Sequence, residues 1–254
     1  MLWYKAWLET RWQFLIGLAL LMLSACGGVL AYPQVVKLLP LVPSADVGGL
    51  IGQRIREGAE LMRDYRGYVW SQWIREGPTQ MGTLLAAILG SGGLLAQASG
   101  GAAVFTLSLP ASRNRLLGVR AATGLGELFT IAVVPMLLVP MLSPAVGESY
   151  GVGDALVHAA CVFIAGAVFF SLAILLSTVF GDLWRPLLIT CAVAVLVGLA
   201  DAALGEPKYS LFSVMSGESY FRAGALPWGG LLASVALSAA MLYGASVNIA
   251  RHDF

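Results

Sequence analysis

Few residues in this chain are of the kinds that do chemistry, and their spacing excludes most of it. The lysines are Lys5, Lys37 and Lys208, and none follows a glycine. The Gly-Lys-Ser/Thr loop that cradles phosphates is therefore missing, and any ATP spent on this chain's behalf must be hydrolysed by another. The histidines, His158 and His252, are isolated, and there is no His-Glu-x-x-His helix. A metal centre needs partners that the sequence does not cluster. Cys26, Cys161 and Cys191 lie inside apolar runs, with neither metal-like spacing nor an even count. They read as small packing residues. No Gly-x-Ser-x-Gly elbow occurs either. The chain is expected to be no enzyme and to hold no cofactor or metal of its own.

Two charges stand out against this background. Glu127 falls in an apolar run, where an ionised acid costs about 2.5–3.5 kcal/mol or more at the bilayer centre. It needs protein or water around it, and Arg120 lies seven residues earlier on nearly the same helix face. Arg120 and Glu127 are candidates for a charge on a transport route or a structural lock at its mouth. The plainer reading is a shallow acid reaching back to the interface.

The elements that position them are membrane spans. The chain has 254 residues, 58% of them hydrophobic and 11% charged, where soluble domains carry about 25% charged residues. Its apolar runs are continuous rather than alternating, which favours helices over a closed barrel. About 20 apolar residues cross the hydrocarbon core. Six spans are expected, near 12–32, 79–98, 121–143, 155–180, 186–204 and 228–249. Pro135 and Pro140 should kink the third. The second is rich in small residues, Ala86, Ala87, Gly90, Ser91, Gly92 and Gly93, and should pack inside the bundle. Leu23–Gly27 resembles a lipoprotein signal, but with five spans following it is expected to stay as part of the first. A net charge of +1 gives no sign of a nucleic-acid partner.

Arg113, Arg115 and Arg120 occupy the connection between the second and third spans, while 144–154 has no basic residue. The excess of positive charge on cytoplasmic loops then places both termini inside. The basic residues of the long first connection, 33–78, fit this orientation least well. Within it Ile55, Ala59, Met62, Tyr65, Val69 and Trp73 recur at helical spacing. They predict an amphipathic helix, either lying on the outer surface with Trp70 and Trp73 half wet, or packed on neighbouring spans. Trp3, Trp7 and Leu8 predict a short interfacial helix at the N-terminus, or simply the extended start of the first span.

The segment 105–120, Phe-Thr-Leu-Ser-Leu-Pro-Ala-Ser-Arg-Asn-Arg-Leu-Leu-Gly-Val-Arg, resembles the cytoplasmic segment of type-2 ABC exporter permeases. There a Leu-Pro-x-Ser-Arg turn introduces a short helix that returns the chain to the membrane. The six-span layout without a nucleotide site is similar along essentially the full chain. The resemblance implies an all-α transmembrane domain, a permease moving a substrate by alternating access. It also implies a second copy or a paralogue, and a cytoplasmic ATP-binding subunit that holds the ATP and Mg. Leu109, Pro110, Ser112, Arg113 and Arg115 are then the candidates for coupling to that subunit. Residence in the bacterial inner membrane follows, and the few charges inside the spans suit a lipidic or hydrophobic cargo. The competing readings are an ATP-independent secondary transporter and a membrane assembly scaffold.

Overall fold

A computed structural model describes residues 2–38, 58, 60–92, 113–204 and 210–251, with the side chains of Arg113 and Arg251 outside that description. The described residues are helical or in turns, with no strand. The long helices are α1 (Leu2–Leu38), α3 (Gly77–Ser91), α4 (Arg113–Leu142), α5 (Val152–Ser177), α6 (Trp184–Ala203) and α9 (Trp228–Arg251). A short α2 (Tyr65–Tyr68) runs into a π-helical turn at Val69–Ile74. A 3-10 turn, Ser143–Val146, follows α4, and the short α7 (Leu211–Ser216) and α8 (Glu218–Ala223) precede α9.

Among the described residues five helices are long and apolar enough to cross a membrane, namely α1, α4 with its 3-10 turn, α5, α6 and α9. Over its described residues the protein is thus helical without strands, with the apolar helices of a multi-pass membrane protein. The sixth expected span, 79–98, corresponds to α3, whose 15 described residues cover about 22 Å. The rest of that span lies outside the described residues.

The helix α5 is the axis of the bundle. In its most apolar stretch 67% of residues are buried, against 17% in α6 and 22% in α1. Its small residues Ala155, Ala159, Ala165, Gly166 and Ala173 explain why α3, α4, α7 and α9 can all lie against it. In lipid, close packing rather than water exclusion holds helices together, and small side chains permit it. At Gly90, α3 comes up against the backbone of α5. A Cβ there would lie 2.6 Å from the Phe170 carbonyl oxygen and 2.7 Å from the Ala173 Cβ. Ala86 and Ala87 on the same helix are fully buried. Gly90→Leu is therefore expected to destabilise the fold by about 2 kcal/mol or more. Gly118→Leu, where nothing lies within 4 Å, should leave the melting temperature and the size-exclusion profile unchanged.

The N-terminal residues form no separate interfacial helix. The helix α1 is continuous from Leu2, because Thr10, Gly17, Leu21, Ala25, Val29 and Tyr32 make one buried stripe along it. The helix α4 continues through Pro135 and Pro140.

The segment before α3 also departs from expectation. Residues 55–57 and 59 lie outside the described residues. The helical stretch 60–63 breaks at Asp64, whose carboxylate accepts a hydrogen bond from the Gly67 N–H at 3.3 Å and caps α2. Tyr65, Val69 and Trp73 of the expected stripe are buried, but so are Tyr68, Trp70 and Ile74 on other faces. The segment is packed into the protein rather than laid on a surface. Trp70 and Trp73 are 0% and 4% exposed, not half wet, because each indole N–H has an internal acceptor. Trp70 donates to the Ser216 carbonyl at 3.0 Å and Trp73 to the Ser24 hydroxyl at 3.1 Å.

Candidate functional site

Contacts between helices define two ends of the bundle. At one end α1 and α4 begin together and α5 and α9 finish together, the latter pair joined by Asn248, whose amide donates to the Thr178 carbonyl at 3.0 Å. At the opposite end lie α2, the π turn, α7 and α8.

The first end carries the charge cluster. Leu109, Pro110 and Ser112 lie outside the described residues, as does the Arg113 side chain. Arg113 opens α4, and Arg115 two residues on is exposed. Two turns into α4, Arg120 pairs with Glu9 of α1 at 3.3 Å, its side chain only 10% exposed. The same guanidinium lies directly against Gly92 at the end of α3. Glu127 is 5% exposed and accepts a hydrogen bond from the Thr10 hydroxyl at 2.5 Å. Arg120 is attracted by both Glu9 and Glu127. The structure thus encloses Glu127 in protein between α1 and α4 rather than letting it reach the interface. Glu9 and Thr10 were not identified from sequence as its neighbours. The signal was there, since α1 is helical from its start and presents both residues in one turn.

The opposite end holds a polar cap. His158 of α5 is fully buried, with Nδ1 3.2 Å from the Ser216 carbonyl oxygen. A carbonyl only accepts, so Nδ1 carries the hydrogen. The same oxygen takes the Trp70 N–H. Gly217, at φ +66°, lets the chain turn directly over the His158 ring, where any Cβ would collide with Nδ1. Asp154, one turn before His158, accepts from the Tyr220 hydroxyl at 2.6 Å and pairs with Arg66 at 3.6 Å. Trp70 stacks on Phe221 at 4.4 Å between centroids. These contacts bind α2, α5, α7 and α8 into one layer. Burial, and then the Asp154 charge, push the Tyr150 phenol well above its usual range, and burial raises Tyr65 and Tyr68 as well.

Beneath this cap, between α3 and α6, is an open cavity of about 610 Å³, with Leu84 and Val195 of its wall 48% and 61% exposed. That is the size of a small-molecule site. Toward the middle of the bundle its walls are Leu84, Cys191, Ala194 and Val195, and toward the cap they are Arg75, Thr79, Asp201, Ser210 and Glu218. Asp201 accepts a short hydrogen bond from Ser210. Among the described residues no group of three or more His, Cys, Asp or Glu comes together to hold a metal.

Comparison with known proteins finds no matching family model, no matching curated protein and no matching solved structure.

Proposed function

We propose that this chain is the membrane-spanning permease subunit of an ATP-driven ABC exporter, with ATP handled by a separate cytoplasmic subunit. The observation that carries this reading is the position of the segment 105–120. Its described part, 113–120, forms the first turns of α4. Its last residue, Arg120, is clamped to Glu9 and neighbours the Thr10–Glu127 hydrogen bond. A push on this segment is therefore delivered to α4 and α1 together, as a lever must be. The open cavity between α3 and α6 supplies a place for cargo at the side of the bundle. Alternating access then runs between this chain and a second permease, a copy or a paralogue, in the bacterial inner membrane with both termini inside. On this reading Arg120 and Glu127 are a structural lock between the lever and the spans.

The test is charge reversal at the lever. Arg113→Glu with Arg115→Glu is expected to lower the ATP hydrolysis of the assembled complex at least tenfold, while the chain itself still folds. Full hydrolysis and intact assembly in that double variant would remove the coupling assignment. Transport by the chain alone, driven by an ion gradient, would replace the exporter by a secondary transporter.

A further inference from the structure

The cavity between α3 and α6 is polarised along its length, and the polarity has a direction. Cys191 and Asp201 lie ten residues apart on α6, about 15 Å along the helix. The wall is apolar at the Cys191 level, with Leu84 and Val195, and polar at the Asp201 level. Such a cavity matches an amphiphile with its head at the cap and its chain toward mid-bundle.

The lining hydroxyls say which head. A hydroxyl has one proton to give and two lone pairs to offer. Thr79 gives its proton to the Ile74 carbonyl at 3.0 Å, Thr83 to the Thr79 carbonyl at 2.7 Å, and Ser216 to the Ser213 carbonyl at 3.1 Å. Ser210 gives its proton to Asp201. With their protons spent internally, Thr79, Thr83 and Ser216 offer the cavity lone pairs, not donors. The charges agree. Glu218 is paired with Arg222 at 2.8 Å. Asp201 makes no ion pair among the described residues, and its neighbour Ser210 does not neutralise it. Arg75, the guanidinium of the lining, stands on the facing wall over the Trp70 ring, 5.9 Å from its centroid. An anionic head would meet the Asp201 and Glu218 carboxylates and these lone pairs, against Arg75, Gln80 and Ser213 as the donors of the described lining. A protonated amine, with up to three N–H donors and a positive charge, complements both.

We propose that this cavity binds an amphiphile whose head is a protonated amine, seated on Asp201 and the Thr79–Thr83 hydroxyls, with its apolar chain against Leu84, Cys191 and Val195. This names a cargo class for the exporter and rests on that reading for the transport step, though not for binding.

Binding is read from Cys191. The full chain is placed in phosphatidylcholine nanodiscs, and maleimide labelling of Cys191 and Cys26 is followed by peptide mass spectrometry. Dodecylammonium is expected to slow labelling of Cys191 but not of Cys26. It should act at concentrations at least tenfold below those needed of dodecyl sulfate or dodecyl maltoside. Asp201→Asn should raise the required dodecylammonium concentration about tenfold, and Thr79→Val should shift it the same way. Equal or better protection by the sulfate or the maltoside overturns the proposal, and this comparison on the unaltered chain needs no variant to fold. Protection unchanged in a folded Asp201→Asn chain overturns it too. The outcome is independent of the lever test. Selective protection without ATP coupling rejects the exporter alone, and ATP coupling without selective protection rejects the amine site alone.

Discussion

Arg120→Ala is expected to destabilise the folded protein by about 3–5 kcal/mol, the range for removing one partner of a buried ion pair. The loss has two sources. Glu9 loses the cation 3.3 Å away. Glu127, 5% exposed and held by Thr10, keeps its carboxylate in an apolar span with its nearest positive charge gone. Replacing both members by apolar residues, Arg120→Leu with Glu127→Leu, removes the charge along with the attraction and should recover more than half of the loss. Thermal unfolding of the detergent-solubilised chain, read by size exclusion, separates the cases. A melting temperature unchanged in Arg120→Ala would mean that the cluster does not hold α1 to α4.

Trp70→Ala should be comparably severe, about 3–5 kcal/mol. Trp70 is wholly buried, stacks on Phe221, and donates to the Ser216 carbonyl that also receives His158. Its removal opens a void at the junction of the π turn, α7 and α8. Trp70→Phe keeps the stacked ring and loses only the N–H, so it should cost about 1 kcal/mol. The melting order native, Trp70→Phe, Trp70→Ala is the expected result. A Trp70→Ala chain that melts with the native protein would show that the cap is not a packed layer.

The apolar runs made the membrane class and most of the helices legible in the sequence. The small residues of α3 also announced an interior position, which Gly90 against Phe170 makes concrete. What failed to show was long-range pairing. Trp70 and Trp73 have the composition of interfacial residues, and only acceptors 146 and 49 residues away make them internal. The i, i+7 relation of Arg120 and Glu127 was readable along one helix. The part played by Glu9 and Thr10 required knowing that α1 lies beside α4. The cavity was invisible for the same reason, since Thr79, Cys191 and Asp201 converge only once α3 packs against α6. Periodicity reports which face of a helix is buried, but not which helix buries it.

The central claim is that this chain moves cargo only through an ATPase it does not itself contain. The direct measurement purifies the full chain from its native membrane and assays ATP hydrolysis by whatever complex accompanies it. The expected result is an accompanying ATP-binding subunit, with hydrolysis that disappears when the two are separated and falls in the Arg113→Glu, Arg115→Glu chain. Cargo movement by the isolated chain in liposomes without any ATPase is the result that would contradict it.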